Sequence, residues 1–301
     1  MFSLVWVAGC TVKENQQNSI DNEPVVSRQK PYFISVAIDK FSSIQSPCVD
    51  VEIEGNKFSM ELDLGLDGYL TISHAESDEI RNKNFIREKQ MYGFRGTQYL
   101  NKLYRLPQIQ IGKMTFVEPL LQEENADFLK NSVSVENGGD PSPGESGRLG
   151  WKLFRNVNLL IDVKNSNIAF CDSIETLKNQ GYLVETFIKT PLILERGLVE
   201  LYVSTPEGPL LCMLDTGATW NFLNTELRQG TTIDQAMWDP QNILECPSIK
   251  IEGEDFGCTS FHRIPIDLPI YVEAVLGMEF FQQRLVFLDF KNGYAYFSKN
   301  N

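Results

Sequence analysis

Leu211-Cys212-Met213-Leu214-Asp215-Thr216-Gly217-Ala218-Thr219 is the stretch on which the reading of this chain turns. An apolar run delivers an acid, a hydroxyl and a glycine in succession. That order suits a buried strand ending in a tight loop, where glycine lets the chain turn with the carboxylate at its tip. Alone, Asp-Thr-Gly is a weak signal, because Asp and Gly are ordinary turn residues. Its weight comes from its surroundings, and from the fact that they occur twice.

Before it, Val199 to Val203 alternates like a strand, Pro206-Glu207-Gly208 reads as a turn, and Leu210 to Leu214 resumes the strand. After it come Trp220 to Leu223, then Val275-Leu276-Gly277-Met278. The half closes on Leu285 to Phe290, a Lys291-Asn292-Gly293 turn and Tyr294 to Phe297. The first half follows the same order. Val49 to Ile53, a Glu54-Gly55-Asn56 turn and Phe58 to Leu62 lead into Asp63-Leu64-Gly65, then Tyr69 to Ile72. Gly147-Arg148-Leu149-Gly150, Leu159 to Asp162, a turn at 164–167 and Ile168 to Phe170 complete it. A chance motif does not bring its flanks with it twice, so the chain is an internal repeat.

The apolar-Asp-Thr-Gly-Ala-Thr stretch, the apolar-apolar-Gly element at Val275-Leu276-Gly277 and its counterpart Arg148-Leu149-Gly150 resemble the aspartic peptidase superfamily, over about residues 45–299. The resemblance implies an all-β, two-lobed pepsin/retropepsin-like acid protease fold with an internal pseudo-two-fold. It implies an aspartic endopeptidase with Asp63 and Asp215 as the catalytic pair, and Gly65, Thr216, Gly217 and Thr219 as loop support. In such a pair, two adjacent carboxylates cannot both ionise cheaply and share a proton. The ionised one takes a proton from a bound water while the other polarises the scissile carbonyl. That chemistry needs no cofactor and no metal.

The first loop departs from the pattern, since Leu64 stands where the family has Thr and has no group to hydrogen-bond across the site. Asp67 adds negative charge nearby. The alternative reading is therefore a degenerate, catalytically inactive module of the same fold that binds peptides or a partner protein. Met91-Tyr92-Gly93-Phe94-Arg95-Gly96 resembles the tip of a substrate-covering flap, which makes Tyr92 and Gly93 substrate-binding candidates.

The 301 residues are 42% hydrophobic and 22% charged, enough for one large or two modest β units. A net charge of -13 without a basic stripe argues against nucleic acid as a partner. There is no Cys-x-x-Cys, and the two histidines, His74 and His262, lie far apart, so neither a zinc site nor a Ser-His triad is indicated. Cys246 and Cys258 flank a short hairpin and are open to two readings, a disulfide or separate thiols. Asp162 and Asp289 match across the repeat as strand-end hydrogen-bonding residues.

Residues 1–30 read as a leader remnant and polar tether. Val7-Ala8-Gly9-Cys10 resembles a bacterial lipobox with Cys10 as the lipidation site, although no Lys or Arg precedes it. The expected organisation is residues 31–175 as the N-terminal β lobe and 176–301 as the C-terminal β lobe, joined through a short helix near 173–197. The expectation is a monomer, exported to the cell envelope on a lipid anchor, acting on a peptide or protein substrate.

Overall fold

A computed structural model describes residues 31–38, 40–41, 46–92, 98–124, 146–224, 243–264 and 272–299. The expected repeat is present strand for strand. In the first half, Pro47–Ile53 and Asn56–Asp63 form a hairpin running from Cys48↔Glu61 to Ile53↔Asn56. Its turn uses Glu54 and Gly55 at positive φ (54° and 83°), the conformation glycine adopts at no steric cost. In the second half, Glu200–Thr205 and Gly208–Leu214 form the matching hairpin, with Gly208 at φ 124°.

Each hairpin then receives the strand ending in apolar-apolar-Gly or Arg-Leu-Gly. Gly147–Gly150 lies parallel to Asn56–Asp63 (Leu149↔Leu62) and antiparallel to Leu70–Ser73. Ala274–Leu276 lies parallel to Gly208–Leu214 (Leu214↔Leu276) and antiparallel to Phe222–Asn224. One strand further out, Leu120–Glu124 and Thr259–Ile264 pair in parallel with Leu70–Ser73 and Phe222–Asn224. Parallel pairing inside an all-β lobe requires strands covered on both faces. Accordingly Leu62, Ile72, Leu149, Leu214, Ala274 and Leu276 are all fully buried.

The halves are joined by a shared six-stranded sheet. Its order is Phe33–Ala37, Asn167–Cys171, Asn158–Asp162, Val286–Asp289, Tyr294–Phe297, Ile188–Pro191. Leu160↔Phe287 sits at the centre, where the halves meet. Asp162 and Asp289 occupy matching turns: each accepts hydrogen bonds from the backbone and side chain of an asparagine three residues on, Asn165 and Asn292.

The stretch expected to link the lobes is more ordered than a linker. Ser173 caps a short helix, Ile174–Asn179, by accepting the Thr176 N–H. Ile188–Pro191 then becomes an edge strand of the shared sheet, a place where proline's missing donor costs nothing.

The cysteine question resolves toward separate thiols: Cys48, Cys171, Cys212 and Cys246 are buried, Cys258 is exposed, and all are free. Cys246 lies opposite Thr259, so Cys258 is offset by one residue and faces the other side of the ladder. Among the described residues no helix is long and apolar enough to cross a membrane. Cys10, with all of residues 1–30, lies outside the described residues, as does Gly93; Tyr92 ends the strand Asn84–Tyr92.

Candidate functional site

Asp63 ends the strand Asn56–Asp63, and Asp215 directly follows Gly208–Leu214. Beyond each acid the chain turns the same way. The Leu66 N–H donates to the Asp63 carbonyl and the Ala218 N–H to the Asp215 carbonyl, both at 3.3 Å.

The two loops meet tip to tip, and the glycines permit the approach. A methyl on Gly65 would stand 2.5 Å from the Asp215 carboxyl carbon. One on Gly217 would stand 2.7 Å from the Asp63 carboxyl carbon. Each loop's glycine therefore makes room for the other loop's acid. Gly150 and Gly277 serve the layer behind, where a Cβ would fall 2.3 Å from the carbonyl oxygens of Gly68 and Trp220 respectively.

Both carboxyls are fully buried and lie side by side: a methyl on Gly217 would stand 2.7 Å from the Asp63 carboxyl carbon and 3.1 Å from Asp215 Oδ1. Burial raises the pKa of Asp63 to about 6, opposed by the Arg148 cation and by hydrogen bonding. Burial also raises that of Asp215, well above the usual carboxylate value, and the Asp63 charge pushes it further. Asp215 Oδ1 accepts the N–H groups of Gly217 (2.8 Å) and Gly65 (3.2 Å). Asp63 Oδ1, Asp63 Oδ2 and Asp215 Oδ2 make no close, well-aligned hydrogen bond to a protein donor, and a proton held between the two carboxyls would link one oxygen of each.

Thr216 holds the loops together. Its hydroxyl donates to the Leu62 carbonyl at 2.6 Å and accepts the Leu64 N–H at 3.1 Å, so lobe two grips lobe one. Leu64 offers no matching hydroxyl and is fully buried in the apolar core, so the first loop's return contact is the Gly65 N–H to Asp215 Oδ1. Thr219 contributes through its carbonyl, which accepts the Glu279 N–H at 3.2 Å.

Asp67, expected to add charge to the site, is instead buried with Lys152 Nζ 2.5 Å from its Oδ1. It lies against Gly197 of the second half, where Trp151 Nε1 also donates to the Gly197 carbonyl at 2.9 Å. The histidines take no part: His74 contacts Glu123 at 2.9 Å, and His262 packs against Trp220 and Phe222.

Two groups that sequence reasoning passed over are prominent here. Arg148 is buried with Nη1 3.6 Å from Asp63 Oδ2 and Nη2 paired to Glu124. Its signal was visible as a charged residue in an element whose counterpart, Val275-Leu276-Gly277, is apolar. Asn221 ties the second loop down: its Oδ1 accepts the Gly277 N–H at 2.9 Å and its Nδ2 donates to the Ser260 carbonyl at 3.3 Å. Among the described residues no group of three or more His, Cys, Asp or Glu is placed to hold a metal ion.

No family model matches the chain, and no curated protein matches it. Among solved structures it is similar to basic 7S globulin from soybean, at 12% identity and a TM-score of 0.58, covering 90% of this chain and 96% of that one. It is also similar to conglutin gamma, a basic 7S globulin from lupine seeds, at 13% identity and a TM-score of 0.52, with the same coverage. At such identities the likeness shows the fold, which is the pepsin-like two-lobed one. The resemblance to the aspartic peptidase superfamily is corrected by these findings: the two similar structures named are basic 7S globulins, and no family model matches the chain. The physical reason lies in the motif itself. Its glycines and apolar positions are what two such loops need in order to meet, so they mark the fold rather than the chemistry.

Proposed function

We propose that this chain is a pepsin-fold binding module, which holds an extended segment of a peptide or partner protein against its carboxyl pair without cutting it. The observation that carries the reading is the one-sided brace. Thr216 reaches across to Leu62 and Leu64, while Leu64 offers no hydroxyl in return. Hydrolysis needs reacting atoms held to within a fraction of an ångström, and a misplacement of about 1 Å costs about a hundredfold. Recognition by hydrogen bonds and burial tolerates more. The likeness to seed globulins favours the same reading. With Cys10 acylated, such a module would work at the cell envelope.

A second reading, aspartic-type hydrolysis, is favoured by one observation: the Asp63 and Asp215 carboxyls are buried side by side at the loop tips. There the ionised carboxyl would take a proton from water as the water oxygen attacks the peptide carbonyl carbon. The protonated carboxyl would hydrogen-bond the carbonyl oxygen.

The binding reading is tested by passing a random peptide library over the immobilised chain between pH 3 and 7, beside Asp215→Ala, and sequencing what is retained by mass spectrometry. Intact peptides enriched on the wild type and lost from the variant are the expected result. Equal retention by both proteins would place any binding elsewhere.

A further inference from the structure

Arg148 is paired by register with Glu61 and Thr71, contacts Asp63 at 3.6 Å, and is ion-paired to Glu124. Among the described residues, the charged groups around the carboxyl pair are Glu61 on the Asp63 strand, Arg148 on the next strand and Glu124 two strands beyond that. The corresponding position beside Asp215 is Val275, paired with Met213 and Phe222. One carboxyl has a buried cation at its side and the other has a buried apolar wall.

We infer that Arg148 is a positioning residue that makes the two carboxyls inequivalent, fixing the negative charge on Asp63 and the proton on Asp215 Oδ2. This rests on reading the pair as the functional site. The hydrogen bonds agree with it atom by atom. Asp215 Oδ1 accepts two backbone N–H groups and so takes the role of a carbonyl oxygen, which accepts equally well when its partner oxygen is protonated. Asp215 Oδ2, which lacks a fixed donor, then carries the hydrogen and gives it to Asp63. The Asp63 oxygens, also lacking fixed donors, accept it while facing the guanidinium. A neutral carboxylic acid beside a fixed carboxylate presents one donor and one acceptor to a ligand. An extended backbone, with its C=O and N–H, matches that pattern in one chain direction only. A cation at Asp63 also weakens that carboxylate as a base, consistent with a site that binds and does not cleave.

The test is carbon-13 NMR of the aspartate carboxyls in the full chain from pH 4 to 9, with assignments from Asp63→Asn and Asp215→Asn. At pH 7 the Asp63 carbon should report the ionised form and Asp215 the protonated form, at a ratio above about tenfold, one pK unit. Arg148→Met should bring that ratio within about threefold, and Arg148→Lys should restore it; a residue of purely structural importance would shift stability and leave the ratio alone. If Arg148→Met does not fold, the wild-type spectra still decide. A proton residing on Asp63 at pH 7, or an unchanged ratio in folded Arg148→Met, overturns the inference while leaving the site in place. Two carboxyls titrating independently near pH 4 would overturn both the inference and the site.

Discussion

The two lobes share a backbone and differ in what they place around their acids. Register fixes the correspondences: Glu61 answers to Met213, Thr71 to Phe222, Arg148 to Val275 and Glu124 to Ile264. In lobe two, Met213, Phe222, Ile264 and Val275 join Leu198, Ala218 and Val272 in a closed apolar cluster. In lobe one the four corresponding residues, Glu61, Thr71, Arg148 and Glu124, are polar or charged, and all are buried. The glycines, by contrast, are retained in both halves, because their role is to let backbones and carboxyls approach. Symmetry is thus enforced where the loops touch and released where side chains face the site. The divergence between the lobes extends well beyond Leu64.

The largest effect expected from this contrast is at Phe222. Phe222→Ala opens a cavity in a dry cluster and should cost about 3–5 kcal/mol, while Thr71→Ala, its counterpart, should cost about 1 kcal/mol or less. Urea unfolding of both variants measures the difference, and equal costs would break the comparison. Next comes the loop contact itself. Gly65→Ala and Gly217→Ala each drive a methyl into the opposite carboxyl, and each should cost about 3 kcal/mol. Similar losses from the two would show that the contact is reciprocal even though its surroundings are not.

The brace should behave asymmetrically. Thr216→Val leaves the buried Leu62 carbonyl and Leu64 N–H without a partner, at about 2–3 kcal/mol. Leu64→Thr exchanges core packing for one potential hydrogen bond and should lose about 1–2 kcal/mol. Thermal melts of the pair test this directly.

The smallest effect, taken per pH unit, is in pH dependence. Both carboxyls have folded-state pKa values raised above the unfolded ones, Asp63 to about 6 and Asp215 well above the usual value. The folded chain therefore holds more protons than the unfolded chain above about pH 4. Their contribution to stability is present at low pH and is lost as pH rises through the folded values. Asp215→Asn keeps a neutral donor beside Asp63 and should flatten that decline, a change of up to about 1.4 kcal/mol per pH unit for one proton. Chemical unfolding at pH 5 and pH 8 reads it, and an unaltered slope would mean the proton is not shared.

The repeat was legible because strand alternation, the Asp-x-Gly turns and the Leu-Gly elements are local patterns tied to backbone geometry. The two Asp-x-Gly turns were located from those patterns, while the pairing of Asp63 with Asp215 was what the family resemblance implied. The sense of Arg148 was not legible, since its partners sit on two other strands, Glu61 and Asp63 on one and Glu124 on another, which only the folded sheet brings beside it. The same holds for Asp67, whose charge is answered by Lys152 in the next layer. Family membership failed for a different reason: the motif is demanded by the way the loops meet, so it marks the architecture and not the chemistry.

The most direct test of the central claim, that the pair binds and does not cut, is cleavage of a peptide library from pH 3 to 7 followed by mass spectrometry. It compares the wild type with Asp215→Ala and Asp63→Ala, each confirmed to be folded. The account predicts no new peptide termini from any of the three proteins at any pH. Wild-type cleavage that disappears in both variants would contradict it and establish the hydrolytic reading, with Arg148 and Leu64 as tolerated features of a working enzyme.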